Sequence, residues 1–209
     1  MPWSDNEDGL ARCLARAGVT LASLRERCSE VIVFGSRAAG TDGANSDWDV
    51  LCVGDGATRR TRELDLVWIS ASSARHDAWT TGELASHVVT HGRWIVGSPG
   101  PWVPLVAITS QTVGRKVRWI QTHVDTWRRF WPRCSPQLRA RYAETLRYNF
   151  LRLDYLLRYQ AVPPRQSLDG RFAELSDTAE WSEAMAAVAE VRDDFVSREL
   201  LPRVCRSSG

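Results

Sequence analysis

The aspartates Asp47 and Asp49 are separated by one residue at the start of an apolar segment. Residues two apart in a β-strand project from the same face, so both carboxylates would lie side by side at the surface of a sheet. Their repulsion is most easily tolerated when a cation bridges them, and carboxylate oxygens are ligands that Mg²⁺ prefers. The pair therefore predicts a divalent-metal site.

A second candidate group, Gly35-Ser36-Arg37, follows the apolar run Val31–Phe34. Glycine allows the backbone to turn tightly and to approach a ligand. A short helix opening at Ser36 would present free N–H groups and the positive end of its dipole to a phosphate. Gly35, Ser36 and Arg37 are therefore predicted to bind phosphate, with Ser46 donating a hydrogen bond around the intervening loop.

The elements that must position these residues follow from periodicity and from turn signals. Strand patterns cover Val31–Phe34, Trp48–Val53, Leu64–Ile69 and Trp94–Val96. Helical patterns cover Leu10–Arg27 with a break at Gly18, Glu83–His91, Thr112–Trp131, Pro136–Gln160 and Thr178–Leu200. Residues 1–9 are expected to be loose. The short, turn-rich connector between the second and third strands suits antiparallel neighbours.

Glycines and three prolines between Gly97 and Pro104 mark a boundary. Before it, alternating strands and helices predict a small α+β domain at residues 1–98, and beyond it a C-terminal helical bundle at residues 105–209. The five cysteines are scattered without metal-ligand spacing. No apolar run has the length of a membrane span and the first residues do not read as a signal peptide, so a cytoplasmic protein is expected.

The segment from Phe34 to Val50, FGSRAAGTDGANSDWDV, is similar to the signature of the polymerase-beta-like nucleotidyltransferase superfamily. That signature is an apolar strand, Gly-Ser, a loop and Asp-x-Asp on the next strand. The resemblance covers residues 30–96 well. Further on, the chain is similar only in outline to kanamycin-type enzymes with a C-terminal helical domain, and to minimal nucleotidyltransferases with a separate helical partner protein.

The resemblance implies a small mixed-sheet domain that transfers a nucleoside monophosphate from an NTP, by analogy ATP, to a hydroxyl group. It also implies a third carboxylate on a neighbouring strand, for which Asp65 fits and Glu63, of the same strand parity, is the alternative. Three carboxylates can hold two Mg²⁺ ions roughly 4 Å apart. Asp47, Asp49 and Asp65 are thus the expected metal ligands, and Gly35, Ser36, Arg37 and Ser46 the expected nucleotide-binding residues.

The helical half bears on the acceptor. Between Arg115 and Arg158 there are eleven basic and three acidic residues, a net charge of +8. A site for a polycationic aminoglycoside should be acidic, so an anionic or neutral acceptor is favoured. Glu144 or Asp154 can act as a general base, as a helical-domain glutamate does in the kanamycin-type enzymes.

A small-molecule acceptor is the first expectation, because the chain carries its own helical domain. The alternatives are a toxin–antitoxin-type enzyme that modifies a tRNA or a partner protein, and a non-catalytic nucleotide-binding module. Ten tryptophans allow an exposed face that forms a homodimer. His87 and His91, and the pair Arg118 and His123, match looser motifs and are interpreted as structural or coincidental.

Overall fold

The computed structural model describes residues 3–43, 46–163 and 168–170. The chain divides into two compact units, Met1–Ala107 and Ile108–Gly209. The predicted helix Thr178–Leu200 lies outside the described residues.

The first unit contains five strands and five α-helices among its described residues. The strands are β1 (Cys28–Phe34), β2 (Trp48–Gly54), β3 (Arg59–Arg60), β4 (Leu64–Ile69) and β5 (Arg93–Val96). The helices are α1 (Trp3–Arg16), α2 (Leu21–Arg27), α3 (Gly35–Ala39), α4 (Asp77–Thr80) and α5 (Glu83–His91). The break predicted at Gly18 is confirmed, since that residue has φ of 71° between α1 and α2. α1 begins at Trp3, so the expectation of loose chain at residues 1–9 is wrong for residues 3–9, and residues 1 and 2 lie outside the described residues.

The strands form one mixed sheet in the order β3-β4-β2-β1-β5. Alternate residues of the central strands enter two separate cores, as the two-residue period of a strand requires. Val31, Val33, Val50 and Cys52 pack with Leu10, Leu14 and Leu24 of α1 and α2. Ile32, Phe34, Leu51 and Val53 pack with Ala85 and Val88 of α5 and with Trp102. Both faces are thus covered, and polar groups on the central strands are confined to their ends.

The pairing of β2 with β4 corrects the sequence prediction, because the two strands are parallel and not antiparallel. Residues 55–60, which end in β3, lead back to the end of the sheet at which β2 begins. A turn at 61–63 then reverses the direction, and β3 pairs antiparallel with β4. The Thr61 hydroxyl accepts hydrogen bonds from the N–H groups of Glu63 and Leu64. β2 and β4 therefore start at the same end of the sheet.

A buried carboxylate anchors the segment that follows the sheet. Glu30 of β1 is 4% exposed. It accepts hydrogen bonds from the indole nitrogens of Trp94 (2.8 Å) and Trp102 (2.9 Å) and from the Gly100 N–H (3.2 Å). Charged acceptors with several donors tolerate burial, because the donors replace water. The Gly-Pro-rich segment is thus held against β1 by one side chain.

The second unit contains, among its described residues, the long helices α6 (Ser110–Phe130) and α7 (Pro136–Tyr159). Thr109 forms a capping box with Thr112, and Ser135 caps α7 with Pro136 in the first turn, as helix starts favour. The core contains Ile120, Val124, Leu146, Phe150, Leu151, Leu153 and Leu168. One face of α6 is therefore buried, through Ile120 and Val124. Of the helices that the structure describes, none combines the length and the apolarity that a membrane crossing requires.

We expect Glu30→Gln to lower the free energy of unfolding by about 2–3 kcal/mol, since the amide would direct its N–H₂ group at an indole donor and leave a buried donor unsatisfied. Urea denaturation measures this value. Glu26→Gln, an exposed change on α2, is the control and should be neutral within about 0.5 kcal/mol. Equal stability of the two variants would show that the Glu30 hydrogen bonds do not anchor the segment.

Candidate active site

The three predicted aspartates lie together at one end of the sheet, where β2 and β4 begin. Asp49 of β2 is directly opposite Asp65 of the parallel strand β4, and opposite Phe34 of the antiparallel strand β1. Paired residues project from the same face, so the Asp49 and Asp65 carboxylates are neighbours. Asp47 immediately precedes β2. Trp48, between the two aspartates, is buried in the opposite core, as its parity predicts.

Gly35 is the position where the backbone comes closest to these carboxylates. It has φ of 71°, a left-handed conformation that side chains disfavour. A Cβ atom placed on Gly35 would collide with the carboxylate oxygen Oδ2 of Asp49. Both facts require glycine, because the Asp49 carboxylate occupies the position that a side chain would take.

Arg37 holds the loop that delivers the aspartates. Its guanidinium donates hydrogen bonds to the carbonyl oxygens of Ser46 and Asp47 (3.1 Å for the latter) and pairs with Asp42. It also lies over the Trp48 ring, with 4.5 Å between Cζ and the ring centroid. These contacts occupy the guanidinium, and the predicted binding of phosphate at Gly35, Ser36 and Arg37 stays a prediction. The structure gives this side chain a positioning role.

Ser36 and Ser46 take part in the same loop. The Ser36 carbonyl accepts a hydrogen bond from the Thr41 N–H (2.9 Å). The Ser46 hydroxyl accepts one from the Gly43 N–H (3.0 Å). In this structure Ser46 therefore shapes the loop, and its expected contact with a nucleotide stays a prediction.

The acidic cluster raises the pKa of one of its members. Burial, and then the negative charges of Asp47 and Asp65, raise the pKa of Asp49 to about 7, against a partial opposing effect of Arg60. A carboxylate in this position is destabilised in its charged form, and a divalent cation would relieve that cost. The chemistry of the donors, hard oxygens under mutual repulsion, fits Mg²⁺.

The carboxylates do not form a finished metal site in this arrangement. Among the described residues, no three acidic, histidine or cysteine side chains are grouped closely enough to hold a metal ion. Like charges without a cation separate, and Asp65 is paired instead with Arg60, at 3.2 Å between Nη2 and Oδ2. Binding of a cation would therefore require the side chains to draw together.

The structure separates the two candidates for the third carboxylate. Asp65 lies on β4 beside Asp49, and its charge acts on the pKa of Asp49. Glu63 lies in the turn before β4 and pairs with Arg16 at 2.6 Å, with its side chain 56% exposed. Asp65 is therefore the better placed of the two.

The two candidate bases of the helical unit differ in accessibility. Glu144 lies on the exposed surface of α7. Asp154 is 2% exposed and accepts a hydrogen bond from Arg158 at 2.8 Å. A general base must reach the proton that it removes, so Glu144 is the better candidate.

The histidine patterns contribute no metal ligand among the described residues. His87 packs edge-on against Phe34, and its ring centroid lies 5.0 Å from that of His91. His123 stacks on Trp119, with 3.5 Å between ring centroids. Both sites are explained by packing of aromatic rings.

Comparison with known proteins agrees with this site. Residues 21–85 match the family model described as a nucleotidyltransferase domain. The spectinomycin adenyltransferase AAD(9) from Enterococcus faecialis, solved with ATP and spectinomycin, is 12% identical, with 88% of this chain and 93% of that chain covered and a TM-score of 0.51. A toxin–antitoxin structure with AMP-PNP is 18% identical over 49% of this chain and 88% of that chain. Its TM-score of 0.28 is too low to establish a common fold. No curated protein matches the sequence.

The match, the sheet topology and the Gly-Ser…Asp-x-Asp geometry together define the class. Residues 21–85 carry a nucleotidyltransferase domain, and the likeness to the adenyltransferase structure supports the fold of the polymerase-beta-like superfamily. Its fold is α+β, with a mixed sheet followed by C-terminal helices, as in the adenyltransferase structure.

We expect Gly35→Ala to abolish nucleotide binding, because the new methyl group would displace the Asp49 carboxylate. Gly40→Ala is a matched control: Gly40 has φ of 70°, but a Cβ atom there meets nothing within 4 Å. Both variants should lose about 1–2 kcal/mol of stability from the left-handed conformation. Calorimetric titration with an ATP analogue should separate them, and equal nucleotide affinities would contradict the role of Gly35.

We expect Asp49→Asn to stabilise the metal-free protein. The pKa of Asp49 in the folded state, about 7, lies above its ordinary value of 3.8. At low pH Asp49 is protonated and does not destabilise the fold. As the pH rises through the interval between these two pKa values, ionisation of Asp49 progressively lowers the free energy of unfolding. One pKa unit corresponds to about 1.4 kcal/mol. Solvent screening reduces the effect, so we expect a gain of about 1–2 kcal/mol near pH 8.

Urea denaturation in EDTA measures this gain, which should shrink when the pH is lowered to about 5. Asp55→Asn, in the exposed connector, is the control. A gain that does not change with pH, or a loss of stability near pH 8, would contradict the repulsion inferred at Asp49.

Proposed function

We propose that this protein is a Mg²⁺-dependent enzyme that transfers a nucleoside monophosphate from an NTP to a hydroxyl group of a small-molecule acceptor. The observation that supports it most is the placement of Asp47, Asp49 and Asp65 at one end of paired strands, with the Asp49 carboxylate against the turn at Gly35. ATP is the proposed donor, because the adenyltransferase of similar fold was solved with ATP.

In this proposal Asp47, Asp49 and Asp65 hold Mg²⁺, which when bound would neutralise the triphosphate and activate the attacking hydroxyl. The turn at Gly35 and Ser36 brings backbone N–H groups to the phosphates, and Arg37 fixes the loop that carries the aspartates. The acceptor oxygen forms a bond to the α-phosphorus. The bond from that phosphorus to the bridging oxygen of the β-phosphate breaks, and pyrophosphate leaves.

Glu144 is proposed to take the proton of the acceptor hydroxyl. Its exposure on α7 makes the carboxylate accessible, whereas Asp154 is buried against Arg158. Proton transfer by a positioned carboxylate contributes about 10²–10⁴-fold to such reactions. Replacement by glutamine should therefore slow turnover within that range while nucleotide affinity is retained.

The charge of α6 and α7 bears on the acceptor. A segment with a net charge of +8 is unfavourable for a polycationic molecule, so we propose a neutral or anionic small molecule. The same charge favours a second candidate function, modification of an anionic macromolecule such as a tRNA. Transfer of the nucleoside monophosphate to free small molecules would favour the first candidate, and transfer only to RNA would favour the second.

The test is incubation with each α-³²P-labelled NTP and Mg²⁺, adding in turn a panel of hydroxyl-bearing small molecules, total tRNA and cell lysate. We expect label to move from ATP to one acceptor class in the wild type. Asp49→Asn should reduce transfer by about 10³-fold, since it removes a charged ligand at nearly constant shape. Asp55→Asn should leave transfer unchanged.

Unaltered turnover of Asp49→Asn would exclude the proposed metal site. Binding of an NTP without transfer to any acceptor would favour a binding module. Absence of NTP binding would exclude the whole proposal.

A further inference from the structure

The side chain of Arg60 contacts one of the three clustered aspartates, Asp65. Arg60 lies on β3 opposite Asp65 of β4. Its Nη2 atom is 3.2 Å from Oδ2 of Asp65, and the two side chains are 79% and 20% exposed, respectively. The guanidinium therefore supplies positive charge at one of the groups assigned above to a divalent cation.

The ion pair between Arg60 and Asp65 can be broken at little cost in free energy. β3 has only two residues and forms the edge of the sheet. An ion pair with one highly exposed partner contributes little stability, because water solvates the released charge. The neighbouring Arg59 differs, since its guanidinium donates a hydrogen bond to the Ala17 carbonyl at 2.9 Å. Arg60 thus combines a specific contact with freedom to move.

We propose that Arg60 is an exchangeable counterion of the site. It pairs with Asp65 until divalent cations bind, and it then moves to the phosphate groups of the incoming NTP. This inference rests on the proposed function, which requires the same carboxylates to hold cations.

The exchange follows from charge and geometry. A divalent cation and a guanidinium cannot both remain close to Asp65 without repulsion, so the more mobile of the two leaves. The released side chain stays tethered beside the site. A planar guanidinium forms two parallel hydrogen bonds with phosphate as readily as with carboxylate. Arg60 therefore stays within the site and pairs with the phosphate groups of the NTP that binds together with the cation.

Arg60→Ala, Arg60→Lys and the control Arg62→Ala test the exchange. Arg62 is an exposed arginine in the adjoining turn, so its replacement removes the same charge. Free Mn²⁺ is measured by electron paramagnetic resonance without nucleotide, and calorimetry measures the affinity of a non-hydrolysable ATP analogue with Mg²⁺. Urea denaturation verifies that each variant is folded, which the exposure of Arg60 favours.

Arg60→Ala should bind Mn²⁺ about two- to fivefold more tightly, because a competing cation is gone. It should bind the nucleotide about tenfold more weakly, because a charge-assisted contact is lost. Arg60→Lys should have nearly wild-type Mn²⁺ affinity and an intermediate nucleotide affinity, since it keeps the charge but loses the paired donors. Arg62→Ala should match the wild type in both measurements.

Unchanged or weaker Mn²⁺ binding by Arg60→Ala would overturn the competition. Tighter Mn²⁺ binding with unchanged nucleotide affinity would overturn the transfer to phosphate. If Arg62→Ala changed the Mn²⁺ and nucleotide affinities as much as Arg60→Ala does, the effects would come from the overall charge of the protein. That result would overturn the assignment to Arg60. A wild type that binds neither Mn²⁺ nor nucleotide would instead refute the proposed function, and the two failures are thus distinguishable.

Discussion

Repulsion between carboxylates is the constraint on which the first unit depends. Asp49 and Asp65 are paired across parallel strands, and Asp47 precedes the same strand. Burial and these charges hold the pKa of Asp49 near 7. The rest of the sheet, with residues such as Val33, Leu51 and Leu66 almost fully buried, supplies the apolar packing that keeps the strands in register despite this cost. A strained group in a stable frame is typical of sites that bind charged ligands.

Much of this arrangement could be predicted from local sequence. The apolar runs of β1, β2 and β4, the break at Gly18 and the two long helices follow from periodicity and from turn residues, which act over a few positions. The parity of Asp47 and Asp49 around Trp48 correctly predicts which side chains leave the core. Gly35 was predictable too, since a positive φ beside a ligand site selects glycine.

The features that sequence reasoning missed depend on long-range pairing. A connector between strands gives no local signal that it will return along the sheet and make β2 and β4 parallel, and this return also creates β3. The contact of Arg60 with Asp65 exists only because of it. The contacts of the Arg37 side chain with carbonyl oxygens nine and ten residues away were likewise not predicted. Glu30 likewise finds its partners 64 to 72 residues further along the chain.

The way in which Arg37 holds its loop has a consequence for the divergence of such sequences. The guanidinium binds the carbonyl oxygens of Ser46 and Asp47, and a main-chain oxygen is present whatever side chain the residue carries. A substitution at Ser46 therefore leaves this acceptor in place, whereas the contact of Arg37 with Asp42 depends on the side chain. The position of Asp47 therefore tolerates a change of side chain at Ser46 but depends on the arginine itself, whose guanidinium is the shared donor.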